Sequence, residues 1–183
     1  MPAPDERRIR EVVREVVERH LASEPSPPAD RGRAARRVAL GADHGGYELK
    51  QALLRYLAEE MDWEVQDCGT HSAEAVDYPD FAAAVAREVA AGRCARGVVI
   101  DAAGIGSTMA ANKVPGVRCA LCHDDLTTRN ARQHNDANLL ALGARVVNRG
   151  LAQRLVRLFL TTEFEGGRHE RRVLKIMALE RNR

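Results

Sequence analysis

The sequence predicts an α/β fold with a mostly parallel five-stranded sheet covered on both faces. Short apolar runs of strand type alternate with segments of helical periodicity from Arg37 onward. The runs themselves, such as Val38–Ala42 and Val98–Ile100, are almost continuously apolar, as expected of strands buried between two helical layers. Acids, histidines and glycines gather where the runs stop, the end of a parallel strand at which such sheets bind ligands. A length of 183 residues fits one ordinary domain with an appendage.

In chain order, residues 1–22 come first. The stretch DERRIREVVREVVERHLA places Ile9, Val12, Val13, Val16, Val17 and Leu21 at helical spacing. Glu6–Arg10 and Glu15–Arg19 add favourable pairs four residues apart. The result is an amphipathic helix with a narrow apolar stripe, which needs a groove on a partner, on a second subunit or on its own domain. Residues 23–37 carry Pro25, Pro27, Pro28 and Gly32 among arginines and read as an extended, solvated tether. Residues 38–183 form the main domain. Its strands are expected at Val38–Ala42, Trp63–Cys68, Gly97–Asp101, Val117–Leu121 and Leu139–Leu142. Helical periodicity covers Tyr47–Glu60, Phe81–Ala91, Ser107–Asn112, Leu126–Gln133 and Gly150–Leu160. A further helix opens in GGRHERR, where Arg168 and Arg172 share one face and form a phosphate clamp if they are functional.

Composition excludes several classes. The net charge of +2, from 28 basic and 26 acidic side chains, makes no electrostatic case for nucleic-acid binding. No apolar stretch approaches the ~20 residues of a membrane span, and the first residues lack a signal-peptide apolar core. The first strand is not followed by the glycine fingerprint of a dinucleotide site. Cys119 and Cys122 have zinc-type spacing without a second ligand pair. Within a strand their side chains would point to opposite faces, so reduced core thiols in a cytosolic protein are expected.

The polar residues at the ends of the strand runs are Asp43, His44, Asp77, Tyr78, Asp101, His123 and, further on, His134 and Asn135. The sharpest constellation is VVIDAAGIGSTMAANKVPGVR, a strand, an acid, a glycine loop and a helix. The first N–H groups of a helix lack internal partners and attract anions, so Asp101 stands where a general base would meet a phosphorylated substrate. Asp43 and Asp101 can equally be helix caps.

Five motifs in unbroken order resemble ribose-5-phosphate isomerase type B and the related galactose-6-phosphate isomerase subunits: GADHGGYELK, Asp77-Tyr78-Pro79, the GIG loop with AANKVPGVR, RQHNDANLLALGARVV, and EGGRHERRV. The resemblance implies a Rossmann-like three-layer sandwich. It also implies a homodimer, or a tetramer, with active sites built from two subunits, and aldose–ketose isomerisation through an enediolate without metal or organic cofactor. By position, Asp43 and His44 match a pair near the substrate hydroxyls and phosphate. His134 matches the histidine that opens the sugar ring, with Asn135 beside it. Arg168, Arg172 and Arg145 match substrate-binding arginines, and Tyr78 lines the sugar pocket. Gly104, Ile105, Gly106 and Ser107 match the backbone cradle for the enediolate oxygen. The N-terminal helix and its Pro-rich tether resemble encapsulation peptides of bacterial microcompartments. They imply a shell protein as partner and a cytoplasmic location inside such a compartment.

The chain departs from the family at the loop, which usually reads Cys-Gly-Thr/Ser-Gly-x-Gly, with the cysteine as base, or carries a glutamate after the last glycine. Here Asp101-Ala102-Ala103-Gly104-Ile105-Gly106 is followed by Ser107. Either Asp101 takes over as base, or the chain is an inactive or altered phosphosugar-binding homologue. A third option is a different, open-chain sugar phosphate as substrate. Burial would raise the Asp101 pKa and neighbouring cations would lower it, which leaves the sign open.

Overall fold

The structure, a computed structural model, describes residues 36–182; the helix expected in residues 1–22 and nearly all of the tether lie outside the described residues. The order is β1 (Arg37–Ala42), α1 (Tyr47–Glu59), β2 (Glu64–Asp67), α2 (Tyr78–Ala90), β3 (Arg96–Asp101), α3 (Ile105–Ala111), β4 (Cys119–Leu121), α4 (Asp125–Gln133), β5 (Leu139–Gly143), α5 (Arg149–Thr161) and α6 (Glu170–Ala178). A short 3-10 turn, Gly167–His169, leads into α6. All four strand pairings are parallel, in the order β2-β1-β3-β5-β4, so the sheet is wholly rather than mostly parallel. This is the Rossmann-like sandwich.

Alternation along each strand assigns the two layers. Val38, Leu40, Val98, Ile100, Leu140 and Leu142 pack with Leu53, Leu57, Leu155 and Phe159 of α1 and α5. Ala39, Val99, Leu139 and Ala141 face Ala82, Val85 and Ala86 of α2 and Ala111 of α3. The cysteine pair follows the same rule. Cys119 packs against the second cluster and Cys122 belongs to the first, on opposite faces of the sheet. Burial pushes the Cys119 thiol up to about 12, which leaves it protonated and inert at neutral pH.

Two helix starts fall earlier than periodicity indicates. Pro79 in the first turn fixes φ for a helix, so α2 begins at Tyr78 rather than Phe81. α3 begins at Ile105, directly after Gly104 with φ +79°, rather than at Ser107. The last helix begins later than expected. Gly166 and Gly167 hold positive φ (63° and 56°), and the 3-10 turn follows. Arg168 therefore lies in that turn and Arg172 in α6, astride a junction rather than on one α-helical face.

Strand direction decides where the motifs lie. The sheet order reverses between β1 and β3, and the carboxyl ends of those two strands carry Asp43 and Asp101 at the crevice of the reversal. A parallel crossover must bring the chain back to the start of the next strand, so helices end at the opposite edge. α4 ends at Gln133, and Gly97 N–H at the start of β3 donates to Asn138 C=O (2.9 Å) while Asn138 N–H donates to Arg118 C=O beside the start of β4 (3.1 Å). His134 and Asn135 thus belong to the amino-terminal edge, which corrects the expectation that they sit with Asp43 and Asp101 at strand carboxyl ends.

Candidate active site

The described residues bring the candidates together as two groups, one at each edge of the sheet. β5 alone spans about 13 Å between the edges at ~3.3 Å per residue.

The first group is built on close backbone approach. A Cβ at Gly46 would come within 2.7 Å of Ile100 C=O, and one at Gly143 would come within 2.7 Å of Ala103 C=O. These two glycines let the DHGG turn and the end of β5 close on the loop after β3. Asp43 Oδ1 accepts from Gly46 N–H (3.0 Å) and so closes the turn ahead of α1. His44, exposed, places Nδ1 3.2 Å from the backbone of Val76 and ties this turn to the segment before Tyr78. The Tyr78 ring lies over Gly106, where a Cβ would sit 2.5 Å from Cζ. Arg145 N–H donates to Ala102 C=O (3.0 Å), which places Arg145 at the same loop.

Asp101, 5% exposed, is the centre of this group. Its Oδ1 accepts from Ala103 N–H (2.8 Å) and Gly104 N–H, and its Oδ2 accepts from Ser107 N–H (3.0 Å). Burial pushes the carboxyl up, but the donors from Ser107, Gly104 and Ala103 outweigh it and hold the group below its ordinary value of 3.8. The Ser107 hydroxyl, buried beside the carboxylate, adds to the lowering by the main-chain N–H groups. The sign that the sequence leaves open is therefore downward. The carboxylate caps α3 from within and takes two of the four N–H groups of the backbone cradle expected at Gly104–Ser107. Among the described residues, the N–H groups of Ile105 and Gly106 have no acceptor.

The second group surrounds His134. Asn130, four residues earlier on α4, places Nδ2 2.8 Å from His134 Nδ1. Glu165 Oε2 lies 3.6 Å from His134 Nε2 and 3.9 Å from His169 Nε2. The His134 and His169 rings stack at 4.1 Å with 3° between planes. Arg168 Nε donates to His169 Nε2 (3.3 Å). The segment 134–137 is held from below by Asp136, which has φ +44° and bridges Arg118 (2.9 Å) and buried Arg132 (2.8 Å). Arg132 also donates to Thr162 C=O (3.1 Å), and Glu165 N–H donates to Gln133 C=O (3.0 Å), lashing the segment after α5 to the end of α4. Asn135 and the side chains of Arg168 and Arg172 are exposed.

Asn130, Glu165 and His169 were not singled out from sequence. Asn130 was findable from its four-residue spacing to His134 on a helix, and Glu165 and His169 lie inside the EGGRHERRV motif. His134, Glu165 and His169 have ligating atoms within 4.8 Å of one another, which among the described residues is the group suited to a metal ion. Parallel stacked rings, however, aim their in-plane lone pairs side by side rather than at one point. His169 Nε2 is already engaged by a guanidinium, so the cluster fits a hydrogen-bond network better than a metal.

Beyond these groups, a groove of about 560 Å³ runs along the exposed edge strand β4, lined by Cys119, Leu121, Leu126, Asn130, Asn135 and Ile176 among others. Leu126 (77%), Met109 (63%) and Ile105 (52%) are the exposed apolar side chains on the flanking helices α3 and α4.

Comparison with known proteins matches residues 38–176 to the Ribose/Galactose Isomerase family. The chain is 43% identical over 148 residues to ribose-5-phosphate isomerase B of Escherichia coli, covering 81% of this chain and 99% of the relative. The solved ribose-5-phosphate isomerase B of Clostridium thermocellum superposes with a TM-score of 0.78 at 49% identity, over 80% of this chain and 98% of that one. The type B ribose 5-phosphate isomerase of Trypanosoma brucei gives 0.76 at 46% identity, over 79% and 99%. Fold, motif order and these likenesses agree: the chain belongs to the ribose/galactose isomerase family.

Proposed function

We propose that the chain interconverts the aldose and ketose forms of a sugar phosphate, ribose 5-phosphate and ribulose 5-phosphate or a close relative, through an enediolate. The site is completed by a second copy of the chain. The observation that carries this reading is the division of the family's motifs between opposite edges of one sheet. Neither edge alone holds a base, an oxyanion site, a ring-opening group and phosphate-binding cations. The apolar groove beside β4, with exposed Leu126 and Met109, supports a homodimer that brings the carboxyl edge of one subunit to the amino edge of the next.

In this site Asp101 moves the proton between C1 and C2. Its N–H donors keep it ionised and ready at neutral pH, at some cost in basicity. The Ile105 and Gly106 N–H groups receive the developing oxyanion. His134 opens the ring, Arg168 and Arg172 bind the phosphate, and Arg145 supplies another cationic contact to the substrate. Asp43, His44, Tyr78 and Asn135 contact the sugar. A second reading, a phosphosugar-binding homologue without turnover, is favoured by the same three N–H bonds, because a carboxylate used as a cap gives them up when it takes a proton.

Solvent exchange separates the two readings. Incubation with ribose 5-phosphate in deuterated water is expected to place label at C2. Absence of label there, and with a panel of aldose phosphates, overturns the isomerase reading. For residues 1–22 the sequence pattern supports recruitment to a microcompartment shell within the cytoplasm. Deleting residues 1–30 is then expected to spare oligomeric state and turnover while abolishing co-localisation with a shell. Loss of the oligomer instead makes the segment an assembly element.

A further inference from the structure

We infer that His169 is a positioning residue that couples the ring-opening His134 to the phosphate-binding Arg168, stacking against one and accepting a hydrogen bond from the other. The inference rests on the isomerase reading for the roles of those two partners, and on the structure for the coupling itself.

A guanidinium only donates, so the Arg168 Nε contact requires a lone pair on His169 Nε2. The His169 proton must then reside on Nδ1, and the ring is neutral. Neutrality is also what its surroundings favour. His169 is buried, and its burial lowers its pKa first, followed by His134 at the end of α4, Arg168 in its own turn and Arg172 on α6; Glu165 from the preceding loop opposes them. Two imidazolium rings 4.1 Å apart and parallel would repel at full charge. A neutral His169 therefore leaves His134 as the member of the pair that exchanges the proton. Asn130 donating to His134 Nδ1 leaves the His134 proton on Nε2, on the side of Glu165.

The stack is a built feature. Positive φ at Gly166 and Gly167 turns the chain, His169 N–H donates to Gly166 C=O (3.0 Å), and Glu165 N–H is tied to Gln133. The ring is thus delivered against His134 by backbone bonds rather than by a free surface rotamer. In consequence, a phosphate that draws Arg168 toward itself also reports on His169, and through it on the orientation of His134.

Two replacements divide the two contacts. H169F keeps a flat ring for His134 but removes the acceptor for Arg168. It is expected to weaken binding of ribose 5-phosphate, and of inorganic phosphate as a probe, by about tenfold, with the nitrogen-15 titration midpoint of His134 unchanged. H169Q keeps an acceptor at the reach of Nε2 but removes the ring. It is expected to leave phosphate affinity within about twofold, to move the His134 midpoint, and to lower kcat rather than raise KM. In the unaltered full-length protein, nitrogen-15 shifts at pH 7.5 are expected to show His169 protonated at Nδ1 only.

Equal changes in phosphate affinity and in His134 titration for both variants overturn the coupling, since that is what a general structural defect produces. A His169 protonated at Nε2 or on both nitrogens in the unaltered protein overturns it also, and this measurement decides if a variant fails to fold. Phosphate binding and His134 titration do not require turnover. A protein that shows the expected pattern in both without any C2 exchange retains the coupling and loses the isomerase reading.

Discussion

The two edges of the sheet solve the placement of charge in opposite ways. At the carboxyl edge one carboxylate is enclosed by main-chain N–H groups within 3.0 Å, over glycines too close to neighbours to admit a side chain. At the amino edge the charged groups belong to side chains, stacked or facing across 3.6 to 3.9 Å, and several are exposed. Main-chain donors are fixed by the fold and cost no reorganisation. Long side chains can adjust to a ligand. Under the proposed function, the rigid edge would hold the reacting carbons and the adaptable one would receive ring oxygen and phosphate.

The largest expected effect tests whether the halves belong to different subunits. D101N and H134A are each expected to lower turnover by ~10²–10⁴-fold, the usual contribution of an acid–base group. Refolded together in equal amounts they are expected to recover about a quarter of normal activity, because half of the dimers then contain one intact site. No recovery breaks the two-subunit arrangement. Full turnover of D101N removes Asp101 as the base. Phosphate-dependent thermal stabilisation is expected to survive in D101N and to weaken in R168A.

A smaller effect probes the rigidity of the carboxyl edge. A methyl at Gly106 would sit 2.5 Å from Tyr78 Cζ and must displace that ring. G106A is expected to raise KM for ribose 5-phosphate about tenfold, the cost of misplacing a substrate contact. The double variant G106A/Y78A should regain part of the loss, and no change in KM would show that the ring has room to move.

The smallest effect separates the edges by acidity. His169 is held below its ordinary 6.5, so its contribution to stability is complete above that value and is lost as pH falls through the folded value. Asp101 is held below 3.8, so its contribution is present above 3.8 and is lost only in stronger acid. Hydrogen exchange on lowering the pH is expected to loosen residues 165–170 before residues 101–107. The reverse order contradicts the assigned shifts.

Much of the fold was legible in the sequence. The strands came from apolar runs, and their central positions agree with the structure because a two-faced buried strand tolerates little else. Element ends were less legible. Pro79, Gly104 and Gly166–Gly167 shift helix starts through single backbone angles that periodicity averages away. The polar residues of the two groups were legible from their motifs, except Asn130, Glu165 and His169, which join through side-chain contacts across 4 to 35 positions.

The sequence by itself determined an α/β sandwich and the identity of the polar residues at its strand and helix ends. Local pattern suffices for these, because burial and backbone preference act within a few residues. Only the tertiary structure decided that Asp101 and His134 lie at opposite edges of the sheet, and that the Asp101 carboxylate is held ionised by its own loop. Both depend on strand direction and on main-chain N–H groups converging, and neither is written in any single residue.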